Sequence, residues 1–194
     1  YVTWPTRPPE ENPQTIFAYK FTEEDDKGFG AIGSMYYTGP SGNGWGEMYA
    51  SKEYRDLLSQ HPEDNRRGFI EAKRDESGNV QERNGYPVYY VKKFTGQGGN
   101  VTLSSPVILR LAEMYLNRAE ARAKLDRDQK ALNDVNKIRK RAGLSGDALY
   151  EMSDLSGAQT ALDVVLRERR LELAFEGFRA YDLWRNGRPV VRDY

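Results

Sequence analysis

The chain has 194 residues, with 29 Lys and Arg against 29 Asp and Glu, no Cys and a single His. Zero net charge gives no electrostatic footprint for nucleic acid, and the lack of Cys excludes disulfides and thiolate metal sites. No apolar run approaches the roughly 18 residues that span a bilayer, and the length suits one domain over residues 1–194.

The amino-terminal half is turn-rich: residues 1–100 hold 13 of the 18 Gly and 9 of the 13 Tyr. Tyr1–Pro13, with Pro5, Pro8, Pro9 and Pro13, reads as an extended arm. Phe17–Phe21 alternates weakly, as a strand would. The acidic run Glu23–Asp26 fits a solvated turn, a cation site or a carboxylate pair for glycoside hydrolysis. Adjacent acids converge on one point only in a shaped loop, which favours the turn. In Gly28–Tyr49, Gly and Ser supply tight turns, while Phe29, Tyr36, Tyr37, Trp45 and Tyr49 supply flat apolar faces. Glu53–Gln60 is expected to be a short helix. His61, followed by Pro62, reads as a surface residue, which leaves no conventional His-based triad. Asp64–Arg67 (DNRR) is an anion site or a structural Asp–Arg turn, with the turn favoured. Tyr86–Phe94 reads as a strand region, with Pro87 at its edge or start. Gly96–Gly99 is similar to a phosphate loop but lacks the Lys and the strand-to-helix context.

From Ser105 the pattern becomes helical. A first helix is expected over Ser105–Leu125, with Pro106 in its first turn, Ser104 or Ser105 as cap, and a stripe of Leu109, Ala112, Leu116, Ala119 and Ala123. A second helix, Asp128–Ala142, has the stripe Ala131, Val135, Ile138 and Ala142, with Gly143 as its stop. The short link at Asp126 and Arg127 makes the two antiparallel neighbours. A third helix over Ala158–Glu176 carries Leu162, Val165, the Arg169 stem, Leu173 and Glu176. Beside that stripe runs a row of Val164, Leu171, Ala174 and Phe175. A fourth helix, Phe178–Asn186, closes at Gly187. Charged residues interrupt these apolar faces. They form either a solvated surface or a set in which Glu113, Glu120, Glu168 and Glu172 pair with Arg139, Arg141 and Arg169 between helices. The fold class is therefore mainly α. Tetratricopeptide-like helical hairpins over residues 105–188 follow a Gly- and aromatic-rich lobe with short strands over 1–104, and 189–194 form a tail.

The segments LRLAEMYLNRAEA (Leu109–Ala121), NKIRKRAGL (Asn136–Leu144) and LRERRLELAFEGFRAYDLWRNG (Leu166–Gly187) resemble the carboxy-terminal region of the SusD/RagB family. NPQTIF (Asn12–Phe17), WGEMYASKEYRDLL (Trp45–Leu58), DNRR (Asp64–Arg67) and VKKF (Val91–Phe94) match further landmarks in the same order. The resemblance implies a nutrient-binding protein of the Bacteroidetes outer membrane, surface-exposed and non-catalytic; no cofactor or metal is expected from the residues, and a bound cation stays open. Such a protein passes oligosaccharides to a SusC-like TonB-dependent transporter. The family's lipidated Cys, its earlier helical repeats and its usual tail have no counterpart here. The chain is accordingly expected to be an internal or carboxy-terminal fragment of a longer protein.

Sugar rings have an apolar C–H face and a hydroxyl rim, so a site for them needs aromatic faces with polar edges. Tyr36, Tyr37, Asn43, Trp45 and Tyr49 are the expected glycan-binding residues, with Ser41 and Glu47 as further edge groups. The alternative for each of these rings is packing of the loop onto the helices, and it weighs most for Trp45, which lies inside the family landmark; Tyr36 and Tyr37 lie outside it and are the favoured ligand residues. Two other functions remain open: a scaffold that docks on the transporter without binding sugar, and a glycoside hydrolase using scattered carboxylates.

Overall fold

The computed structural model describes residues 7–39 and 41–191. Of the expected arm, Tyr1–Thr6 lies outside the described residues, and Pro9–Glu11 forms a 3-10 turn. The chain forms two compact units, residues 1–110 and 111–194. It is mainly helical with a few short strands.

Among the described residues, the first unit carries three two-stranded antiparallel ladders. Strand β1 (Thr15–Ala18) pairs with β6 (Val107–Arg110), and β2 (Ile70–Ala72) with β5 (Tyr89–Val91). Between these last two, β3 (Glu82–Arg83) turns into β4 (Tyr86–Pro87). Its two-residue loop is Asn84–Gly85, both at positive φ, as the tight hairpin turn requires. Helix α1 (Ile32–Tyr36) is a single short turn. Helix α2 (Lys52–Ser59) starts where Ser51 Oγ accepts the Tyr54 amide, and it buries Tyr54 and Leu58, one turn apart. Beneath it, the fully buried Arg66 donates Nε and Nη2 to the equally buried Asp64. This makes the first three residues of the DNRR segment a structural turn.

The second unit is helical: α3 (Leu111–Ala123), α4 (Asp128–Arg141), α5 (Ala161–Glu172) and α6 (Phe178–Trp184). Its core joins Ala112, Leu116 and Ala119 to Ala131, Leu132, Val135 and Ile138, and to Val164 and Val165. The small Ala residues let α3 and α4 approach closely. At the end of α4, Gly143 takes φ 92° while Leu144 N donates to the Arg139 carbonyl, closing the exposed carbonyls of the last turn.

Several helix boundaries differ from the sequence expectation. Val107–Arg110 is a strand, so α3 begins at Leu111 and Leu109 is exposed. Val107 and Ile108 are β-branched, and their partner strand lies about ninety residues earlier, beyond the reach of local periodicity. Helix α5 is shorter than expected. Thr160 and Asp163 cap each other reciprocally at its start, and it ends before Phe175, which takes φ 68°. Its core face holds Val164, Val165, Leu166 and Leu171, whereas Leu162 and Glu176 are only half-buried. Helix α6 stops at Trp184, two residues early.

The interhelical charges are paired. Arg139 Nη1 meets Glu168 Oε2 at 3.0 Å with both side chains buried, and Arg141 meets Glu172 at 2.5 Å. Arg169 Nε meets Asp182 at 2.9 Å and Glu120 at 3.8 Å. Glu113 departs from the expectation: it accepts from Asn117, one turn on in its own helix. Asp134 adds a bridge that the sequence did not single out, holding Arg118 at 2.8 Å and Arg122 at 2.6 Å across the α3–α4 seam.

Candidate functional site

The segment from Ala31 to Ala50 folds back on itself. Trp45 N and Gly46 N both donate to the Ser34 carbonyl, and Glu47 N and Met48 N both donate to the Met35 carbonyl. Close approach of the two stretches depends on glycine. A Cβ on Gly44 would run into the Tyr37 carbonyl, and one on Gly46, at φ +53°, would lie 2.7 Å from the Tyr90 ring. Gly46 turns inward and its neighbour Trp45 turns outward.

Trp45 is 57% exposed and Phe29 49% exposed. Their rings meet edge to face, with centroids 5.1 Å apart. The indole Nε1 donates to the Phe29 carbonyl at 3.1 Å, which ties the exposed ring to Phe29 and satisfies its N–H. Ile32, Met35 and Met48 are exposed on the same segment.

The other expected residues lie in different surroundings. Tyr36 is half-buried against Phe94, with centroids 5.6 Å apart, and burial pushes its phenol pKa up. Tyr37 and Tyr49 are brought together around the buried Tyr90, at 5.4 and 6.2 Å. Tyr37 Oη donates to Glu71 at 3.5 Å, and burial followed by the Glu71 charge pushes that phenol up. Lys92 completes this group: it meets Glu71 at 2.6 Å and lies 5.9 Å over the Tyr37 ring. The Tyr49 hydroxyl accepts from Arg83 Nη1 at 3.2 Å, and Arg83 lies 3.9 Å from Glu47. Asn43 is half-buried at the turn.

Trp45 thus stands with Phe29, Tyr37 and Tyr49 with Tyr90, and Tyr36 with Phe94. The sequence reading missed the polar edge formed by Glu71, Arg83 and Lys92. Glu71 and Arg83 arrive on β2 and β3, and Lys92 directly follows β5. The one available signal was the pair Tyr89–Tyr90, whose alternation on a strand sends one ring to each face. With Glu71 tied to Lys92, this surface offers stacking faces and hydrogen-bonding edges.

The acidic run resolves into capping contacts. Asp25 Oδ2 accepts from the amide and hydroxyl of Thr22, which hold its pKa below the ordinary range. Burial pushes Asp26 up, but hydrogen bonds from the Gly28 amide, Thr102 and Asn100 outweigh it and hold the group low. A carboxyl held ionised in this way is unsuited to donate a proton to a leaving group. Among the described residues, no group of three or more His, Cys, Asp or Glu could hold a metal ion, and no helix is long and apolar enough to cross a membrane.

The chain thus has a loop-built aromatic surface in its first unit and a helical second unit. The chain belongs to the SusD family, whose sequence profile matches residues 9–192. The SusD-like protein P38 of Formosa agariphila is 33% identical over 87 residues, covering 43% of this chain and 17% of that protein. A SusD superfamily protein from Bacteroides vulgatus superposes with a TM-score of 0.78 at 28% identity, covering 100% of this chain and 40% of that one. A SusD-like carbohydrate binding protein from the same species gives 0.70 at 25% identity, covering 94% and 36%. The chain therefore spans well under half the length of these relatives.

Proposed function

We propose that this chain contributes a glycan-binding surface centred on Trp45, in a non-catalytic protein at the outer face of the outer membrane that delivers oligosaccharides to a SusC-like TonB-dependent transporter. The observation that carries the reading is the exposed Phe29–Trp45 pair, fixed from behind by the Trp45 Nε1 hydrogen bond. An indole face held in place stacks on the C–H face of a sugar without a large ordering cost. Asn43, Tyr37 and Tyr49 supply hydrogen-bonding groups for the hydroxyl rim. Family membership supports the reading, as does a relative of similar fold described as carbohydrate binding.

The test is gel-retardation electrophoresis of the 194-residue chain against plant, host and microbial polysaccharides. Retardation without release of reducing sugar is expected. Release of reducing sugar would replace the reading with hydrolysis.

A second reading, docking on the transporter without sugar contact, is favoured by the helical unit. Tyr181 and Trp184 on α6 meet edge to face at 5.8 Å and are 65% and 63% exposed. Large exposed aromatics of this kind suit protein contacts. Capture of the transporter by a chain that binds no saccharide would select this reading.

A further inference from the structure

The β2–β5 ladder has two faces with different surroundings. Directly opposed residues share a face, so Glu71 and Tyr90 point together towards Tyr37, whereas Ile70 and Tyr89 point to the opposite side. On that opposite side, between the ladder and α2, lies a cleft of about 430 Å³. Its volume falls within the roughly 300–1,000 Å³ of small-ligand sites.

The lining carries more positive than negative charge. Lys52, Arg55 and Arg67 face it, against Asp56 alone. Asp56 is already taken by Lys52, one turn away, at 2.5 Å. Arg55 is held in position: its guanidinium carbon lies 4.5 Å over the Tyr89 ring, and its Nη1 donates to the Pro87 carbonyl at 3.1 Å. A guanidinium has five N–H donors, so most of that fork remains available. Arg67 is exposed, and its side chain has no hydrogen bond, ion pair or ring contact among the described residues. The neighbouring arginines therefore divide their roles. Arg66 is buried on Asp64 and shapes the turn, and that turn presents Arg67 to the cleft.

We propose that this cleft takes the carboxylate or sulfate group of an acidic saccharide, with Arg55 and Arg67 as its recognition residues. The planar fork of arginine matches the paired oxygens of either group. Stacking on Tyr89 orients Arg55 before the ligand arrives, which lowers the cost of ordering it. The saccharide half of the inference rests on the glycan reading above, and the anion half rests on the cleft.

Isothermal titration of the 194-residue chain separates the two. The probes are oligogalacturonate and its neutral methyl ester, a sulfated galactan oligosaccharide and its desulfated counterpart, and inorganic sulfate alone. The proteins are the wild type and Arg67→Gln, with melting temperatures recorded for both. At least one acidic oligosaccharide is expected to bind about tenfold more tightly than its neutral partner. Arg67→Gln should remove that preference without lowering the melting temperature, and added salt should weaken it. Equal binding of acidic and neutral partners, or a preference that survives Arg67→Gln, would overturn the cleft assignment and leave the glycan reading standing. Binding of sulfate but of no oligosaccharide would overturn the saccharide half and count against the glycan reading. No binding of any probe would overturn the proposal outright.

Discussion

At the residue scale, Trp45 and Gly46 divide one task. Trp45 presents an aromatic face whose N–H is satisfied internally, so removing the ring strips contact area without exposing a buried polar group. Trp45→Ala is expected to weaken glycan retention about tenfold or more while leaving the melting temperature within about 3 °C of wild type. Gly46→Ala is expected to fail differently. Its φ of +53° strains any L side chain, and the new methyl meets Tyr90 and Thr38. Stability should fall by about 1–3 kcal/mol in a denaturant titration, with loss of binding as the segment shifts. Tyr36 and Tyr37 are less clean probes than their sequence position promised. Both rings are half-buried, against Phe94 and Tyr90 respectively, so their joint replacement by Ala costs stability as well as any ligand contact. The aromatic identities of Gly28–Tyr49 were legible in the sequence. Which rings point outward was not, because that depends on Tyr90, about forty residues later in the chain.

At the element scale, the helical unit is held by apolar stripes with ion pairs set between them. Leu116 is fully buried in the α3–α4–α5 core, and Leu116→Ala should cost about 2–5 kcal/mol by chemical denaturation. Glu168→Gln should cost about 3–5 kcal/mol by the same measurement, because it removes the buried carboxylate that meets the Arg139 guanidinium at 3.0 Å. Glu120 gives the acid response a definite window. Burial pushes its carboxyl up, but hydrogen bonds from Arg185, Asn186 and Lys124 prevail and lower the pKa from 4.5 to about 2. A depressed folded-state pKa stabilises the fold above pH 4.5, and that contribution is lost as pH falls towards 2. Glu120→Gln should therefore lower the melting temperature at neutral pH and flatten its decline between pH 4.5 and 2. Much of this unit was readable from local spacing. The stripes of Leu116, Ala119, Val135 and Ile138 repeat every three or four residues, and charges interrupting those faces implied partners. The start of α3 was not readable, because Val107–Arg110 takes its strand form from pairing with Thr15–Ala18.

At the scale of the whole molecule, the chain combines a hairpin-built helical unit with a loop-rich unit whose glycines let two segments of backbone approach closely. The family was legible because its landmarks recur in order along most of the chain, and the profile match over residues 9–192 bears this out. The surface chemistry was legible only in part. Glu71 on β2, Arg83 on β3 and Lys92 just after β5 give the aromatic segment its polar edge, and their placement follows from strand pairing rather than local pattern. The most direct test of the central claim is affinity electrophoresis of the wild type and Trp45→Ala, side by side, in gels containing each polysaccharide of the panel. Retardation of the wild type by one class, lost in Trp45→Ala at an unchanged melting temperature, is the predicted result. Equal retardation of both proteins, or of neither, would contradict a glycan surface centred on Trp45.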